Sequence, residues 1–188
     1  QGYKYVRLYA PCQSHRLYPF PSGLTTNSSQ VDIADIDDAS FPLFRDTPYL
    51  EAVLKPGDAL LTQKILYGGT TELLEKLFRK NGVEIIYDEL KDRKEIESII
   101  GQSTRVKAIL AESPVNPTLQ CVDLKMLSDI ARKRSLHFIV DNTFATPYLC
   151  RPLAIGADMV VHSTTKYLHG HGASTGGAVI CKDKRFFK

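Results

Sequence analysis

No two cysteines of this 188-residue chain stand at metal-ligand spacing: Cys12, Cys121, Cys150 and Cys181 form no C-x-x-C pair, so a cysteine metal centre is not expected. There is no apolar run of the ~18 residues that a membrane span needs, and no export signal. A cytoplasmic protein with free thiols is therefore the expectation. Charge of one sign is also missing, with 24 Lys and Arg against 21 Asp and Glu, for a net charge of +3. The basic residues fall on predicted helical faces (Lys76, Arg79, Lys80; Arg132, Lys133, Arg134), which reads as solvated surface and speaks against nucleic-acid binding. Phosphate fingerprints are absent too. Gly170-His171-Gly172 opens no G-x-G-x-x-G, because Thr175 stands in the third glycine's place, and there is no Walker A motif. Ser163-Thr164-Thr165-Lys166 has the S-x-x-K form of penicillin-binding enzymes but lacks Ser-Asp-Asn and Lys-Thr-Gly companions. His162, His169 and His171 have no carboxylate or cysteine at matching spacing, so no metal is expected.

What remains is an ordinary globular composition, long enough to bury a core. Residues 1–50, broken by Pro11, Pro19, Pro21, Pro42 and Pro48, read as an irregular segment. The first residue is Gln1 rather than Met, which suggests a truncated, processed or fragmentary sequence. From residue 51 the pattern sharpens. Lys55-Pro56-Gly57-Asp58 is a turn before the short strand Ala59–Thr62. Leu73, Leu74, Leu77 and Phe78 predict one apolar face of a helix over 71–80, stopped by Asn81-Gly82. Val83–Tyr87 and Val106–Leu110 are strand-like. Asp92 and Asp123 are placed to cap helices, the first ended by Gly101 and the second carrying Leu124, Leu127, Ile130 and Ala131 inward. Phe138–Val140 and Met159–Val161 are continuous apolar runs typical of strands buried on both faces, and Ala178–Cys181 is one more strand. Strands alternating with helices give an α/β fold, a mostly parallel sheet flanked by helices.

Ligands of such sheets gather outside the carboxyl ends of the strands. Glu112 to Asn116, Asp141, and Ser163 to Lys166 all fall there. Lys166 either reaches solvent or is an amine that can form a Schiff base; Ser163 and Thr165 beside it offer hydroxyls to a phosphate, and Gly170, Gly172, Gly176 and Gly177 let backbone approach a ligand closely. Asp141 either caps the next turn or holds a proton on a pyridine nitrogen. Tyr67 is a core aromatic or a stacking ring, and Asn116, between two prolines at one remove, a turn residue or a ligand contact. One lysine and one carboxylate so placed are what pyridoxal phosphate asks of a protein.

Five stretches carry a resemblance: Lys55-Pro56-Gly57-Asp58, Tyr67-Gly68-Gly69-Thr70, Glu112-Ser113-Pro114-Val115-Asn116-Pro117, Val140-Asp141-Asn142-Thr143-Phe144 and His162-Ser163-Thr164-Thr165-Lys166-Tyr167. In order and spacing, residues 51–181 resemble the large-domain core of the Cys/Met-metabolism (trans-sulfuration) family of fold-type I pyridoxal-phosphate enzymes. The resemblance implies a pyridoxal-phosphate-binding large domain over 51–188, preceded by the divergent segment 1–50. It implies Lys166 as the Schiff-base lysine and proton shuttle, Asp141 as partner of the pyridine nitrogen, and Tyr67 as stacking ring and acid/base. Ser163 and Thr165 match phosphate-binding hydroxyls, and Asn116 a contact near the cofactor oxygen and substrate carboxylate. Tyr5-x-Arg7 and Ser22-Gly23-Leu24 look like remnants of two further phosphate-binding stretches, the first reaching a neighbouring subunit's phosphate and the second, through Gly23 and Leu24, holding the chain's own. Their separation is compressed, and residues 27–48 look like an insertion. The family's C-terminal domain, with its arginine for the substrate carboxylate, is expected to be missing. The implied reaction is β- or γ-elimination or γ-replacement on a sulfur-containing or activated homoserine amino acid, in a homodimer or homotetramer of cysteine and methionine metabolism. A non-catalytic paralogue that keeps the fold as a cofactor-binding or interaction module is the alternative left open.

Overall fold

The computed structural model describes residues 4–9, 39–40, 42, 49–172 and 175–181. Two compact units are present, one that includes Val53–Lys182 and one that includes Tyr5–Ala52. At the two ends of the stretch read as irregular, β1 (Lys4–Tyr9) and β2 (Tyr49–Leu54) pair in a two-stranded sheet.

The larger unit is built on six strands: β3 (Ala59–Gln63), β4 (Glu84–Asp88), β5 (Val106–Glu112), β6 (His137–Asp141), β7 (Met159–Ser163) and β8 (Gly177–Cys181). They lie in the order β4-β3-β5-β6-β7-β8, parallel throughout except for the antiparallel β7–β8 pair. This is the α/β architecture that the alternation of strands and helices predicts. Every residue of β3 is buried, its apolar start Ala59–Leu61 and the polar Thr62 and Gln63 alike.

Successive strand residues face opposite sides of a sheet, and two cores follow from that. Ala59, Leu61, Ile109, Ala111, Phe138, Val140 and Val160 point to one face. There they meet α2 (Arg93–Gln102), α3 (Leu124–Arg134) and α5 (Pro152–Ile155) through Ile96, Ile100, Leu127, Ile130 and Leu153. Leu60, Ala108 and Ile139 point the other way, towards Leu74, Phe78 and Val83. The helices begin where their caps predict. Asp92 accepts the amide protons of Lys94 and Glu95 (2.7 and 3.1 Å), and Asp123 that of Met126 (2.9 Å). Arg132, Lys133 and Arg134 crowd the last turn of α3, where the macrodipole favours positive charge.

Two expectations need correction. The helix after Tyr67 starts as α1 (Gly68–Leu73), but Leu74–Phe78 is π-helical and Arg79–Asn81 is 3₁₀. The wider turn breaks the 3.6-residue period, so only Leu74 is fully buried, with Phe78 partly so, while Leu73 and Leu77 are exposed. Gly101 does not end α2, which continues through Gln102 and turns extended at Ser103.

α4 (Thr146–Leu149) follows β6. Just before it, Asn142 donates from its amide to the Cys150 carbonyl (2.9 Å), while its Oδ1 is buried without a partner among the described residues. His162 is 4% exposed, with Nδ1 likewise unpartnered. Burial pushes its pKa below the ordinary 6.5, against the weaker opposing pull of Asp141 and the Asn142 peptide.

Two outcomes are expected. Leu127, fully buried in the α3 core, should cost about 2–5 kcal/mol on Leu127→Ala, against about 0.5 kcal/mol or less for the exposed Leu119→Ala; urea unfolding midpoints measure both. For His162 the neutral form is favoured in the folded chain, so below its unfolded value of 6.5 the unfolded chain binds more protons. Stability should fall as pH drops from 6.5 towards the depressed folded value. In His162→Asn this part of the pH dependence of the unfolding midpoint should vanish.

Candidate cofactor site

Strand parity assembles the site. Glu112 shares the face of Ala108, and Asp141 that of Ile139; both side chains therefore emerge on the α1 side of the sheet, as does Ser163 on β7. Glu112 and Asp141 are direct neighbours in the β5–β6 register. All three stand at the carboxyl edge, and the segments that follow them, together with Tyr67 beyond β3, enclose a cavity of about 410 Å3. Its lining includes Lys166, Tyr67, Asp141, Ser163, Thr165 and Asn116, so these six residues singled out in the sequence meet in one place. The volume is that of a small-molecule site. Gly23 and Leu24 lie outside the described residues. Of Tyr5 and Arg7 only the strand they belong to is described.

Asp141 Oδ1 accepts the Thr143 amide proton (2.9 Å), and among the described residues its Oδ2 accepts none. Thr143 in turn uses its hydroxyl oxygen to accept the Ser163 amide proton (2.8 Å), locking the end of β7 to the end of β6. The turn after Ser163 is closed by the Lys166 amide donating to the Ser163 carbonyl (3.1 Å) and the Gly170 amide to the Lys166 carbonyl (2.8 Å). Gly170, at φ +80°, adopts a conformation that side chains resist. Lys166 takes part in none of the ion pairs among the described residues. The Thr165 hydroxyl is engaged with the Gly176 peptide, accepting from its nitrogen (2.8 Å) and donating to its oxygen (3.3 Å). Phe144 and Tyr167 pack their rings 5.6 Å apart along the cavity wall.

Tyr67 is 45% exposed, a free ring at the cavity edge. It lies so close to Gly69 that a Cβ there would stand 2.7 Å from its Cε1, so glycine at 69 is what leaves the ring room. The sequence reading gave Glu112 no role, yet it is central. It is 5% exposed; Oε2 accepts the Tyr67 amide proton (2.7 Å), Oε1 that of Asn116 (2.9 Å), and its own amide donates to Gln63 Oε1 (2.6 Å). Burial raises its pKa, the two amide donors pull it down, and Asp141 pushes it up again. An acidic residue directly after the apolar run Ala108–Ala111 was the signal available. Thr143, Phe144 and Tyr167 were legible only as neighbours of motif residues.

The donor set suits an anionic aromatic cofactor with an aldehyde. An uncommitted amine, a carboxylate with one oxygen to spare, an exposed ring and the Ser163 hydroxyl surround one cavity. Among the described residues no group of three His, Cys, Asp or Glu side chains is placed to hold a metal ion, and no helix is long and apolar enough to cross a membrane.

Comparison with known proteins agrees with this geometry. The profile described as Cys/Met metabolism PLP-dependent enzyme matches residues 47–188, and that of a cupin-like domain matches residues 1–62, the stretch that holds Tyr5, Arg7, Gly23 and Leu24. Cystathionine gamma-synthase/O-acetylhomoserine (thiol)-lyase of Bacillus subtilis is 44% identical over 134 residues, 71% of this chain and 35% of that protein. L-methionine gamma-lyase of Porphyromonas gingivalis is 37% identical over 186 residues, 97% of this chain and 44% of that protein. The crystal structure of cystathionine gamma-lyase from Lactobacillus plantarum complexed with L-serine superposes with a TM-score of 0.68 at 34% identity, over 70% of this chain and 34% of its own. The chain thus spans under half the length of these relatives. With the larger unit, its sheet order and the cavity all falling under the first profile, the chain belongs to the Cys/Met metabolism PLP-dependent enzyme family.

Proposed function

We propose that the cavity binds pyridoxal 5'-phosphate and serves β- or γ-elimination or γ-replacement on sulfur-containing or activated homoserine amino acids. The observation that carries this is the meeting of Lys166, Asp141 and Tyr67, from three separate strand ends, around one cavity. Bound there, the cofactor supplies an electron sink for charge developing on substrate carbon. Lys166 would hold the cofactor through its Nζ, and the same amine would move a proton between adjacent substrate carbons. Asp141 Oδ2 holds the proton on the ring nitrogen, with Oδ1 fixed by the Thr143 amide. Tyr67 would stack on the cofactor ring and offer its phenol as acid or base. Ser163 and Thr165 would hold the phosphate through their hydroxyls. Asn116 would bind near the cofactor oxygen and the substrate carboxylate. Residues 51–188 form the cofactor-binding domain, and the assembly is a homo-oligomer, for which the exposed Tyr148, Leu149 and Tyr167 supply apolar surface. A second reading is a binding module without turnover: the cupin-like match over residues 1–62 covers the stretch expected to complete the phosphate site, Tyr5, Arg7, Gly23 and Leu24.

Two measurements test the assignment. Mixed with pyridoxal phosphate and reduced with borohydride, the chain should carry the cofactor on the Lys166 peptide by mass spectrometry; label elsewhere, or label that survives Lys166→Ala, overturns it. Asp141→Ala should weaken cofactor binding about 10- to 100-fold, the worth of one charge-assisted hydrogen bond, in an absorbance titration. Keto-acid release from methionine or cystathionine then separates the enzyme from the binding module.

A further inference from the structure

We propose that Glu112 is a positioning residue: its carboxylate ties the loop carrying Tyr67 to the loop carrying Asn116, so that both flank the cavity as one unit. The two loops are 45 and 4 residues away from it in sequence, yet each sends one backbone N–H to a different oxygen of the same side chain, at 2.7 and 2.9 Å. The carboxylate is itself held from behind. Its backbone N–H donates to Gln63, the last residue of β3, and β3 continues into the Tyr67 loop. Tyr67 is pinned at both ends of its backbone, because its carbonyl accepts the Thr71 amide proton (3.0 Å) in the first turn of α1. With N–H and C=O both committed, and Gly69 alone leaving space for the ring, little freedom remains in where the ring stands.

Only a carboxylate of this length does this. Both incoming groups are donors, so both side-chain atoms must accept. In Glu112→Gln one position becomes NH2 and faces another N–H, leaving one loop untied; Glu112→Asp is a methylene too short to hold both. Because both oxygens are spent within the chain, Glu112 acts through Tyr67 and Asn116 and not on a ligand directly. Charged or titratable groups facing the same cavity are Asp141, beside it in register, Lys166, and the Tyr67 and Tyr167 phenols. Burial and Asp141 make the carboxylate easier to protonate than an ordinary glutamate. Protonation would remove an acceptor from the tie.

The tie itself stands on geometry, whereas its consequence for the cofactor rests on the function proposed above. The experiment separates them. In 1H–15N spectra of the ligand-free full chain, the Tyr67 and Asn116 amides should titrate with one common midpoint, above the ordinary glutamate value. Both titrations should disappear in Glu112→Gln, with the amides of Leu127 and Ile109 unmoved as evidence of folding. Different midpoints in the unaltered chain overturn the proposal, and that measurement needs no variant to fold. Pyridoxal-phosphate affinity should drop about tenfold in Glu112→Gln, one broken hydrogen bond to a charged group, with attachment still on Lys166. Unchanged affinity overturns the positioning role. If the unaltered chain captures no cofactor, the proposed function fails, and the common midpoint alone decides whether the tie exists.

Discussion

The constraint on which the larger unit depends is the two-residue alternation of its parallel strands. A strand that shows Ile109 and Ala111 to the α2–α3 side must show Ala108 and Glu112 to the other. The same parity carries Asp141 with Ile139 on β6. Because β3, β5, β6 and β7 run in one direction, their final residues all reach the same edge. Core packing and site assembly are therefore one requirement. A one-residue slip of β6 would bury Asp141 among the apolar residues around α3 and turn Val140 towards the cavity.

Two carboxylates sit side by side at that edge, and hydrogen bonding gives them different work. Glu112 has both oxygens occupied by backbone donors, while Asp141 has one occupied. A buried carboxylate with all its acceptors satisfied is structural: it holds backbone where solvent cannot compete. A partly satisfied one is available to a cation or a protonated ring nitrogen. Lys166 is the only cationic side chain among the residues that line the cavity. Of the two carboxylates, Asp141 is the one with an oxygen left for a positively charged group.

How far the sequence could be read follows from the range of each interaction. The strands around Leu61, Ile109 and Val140 were legible because burial on both faces leaves an unbroken apolar run. Asp92 and Asp123 were legible because an N-cap acts within three residues. That Lys166, Asp141, Tyr67, Asn116, Ser163 and Thr165 line one cavity follows from topology once the strand ends are aligned. Glu112 was not legible as a tie, because its partners are donated by two loops whose approach only the folded sheet sets. The Thr143 hydroxyl holding the Ser163 amide, across 20 residues, is hidden for the same reason. Leu73 and Leu77 misled because periodicity assumes an α-helix, and the π turn at Leu74–Phe78 rotates them away from the core.

The two family matches overlap at residues 47–62, which hold the turn before β3 and most of β3 itself. Lys55-Pro56-Gly57-Asp58 makes a tight turn: Asp58 accepts the Lys55 amide proton from its side chain (2.8 Å) and returns its own to the Lys55 carbonyl (2.9 Å), and Gly57 sits at φ +94°. Proline, glycine and aspartate here satisfy the demands of a tight turn that feeds a buried strand. What assigns β3 to the parallel sheet is non-local. The Ala59 amide donates to the Arg105 carbonyl (2.7 Å), and Leu60, Leu61 and Thr62 pair with Ala108, Ile109 and Leu110. Gln63, at the end of that strand, then reaches Glu112. The turn is local chemistry; the pairing of β3 with β5 is what makes the residues after it part of this site.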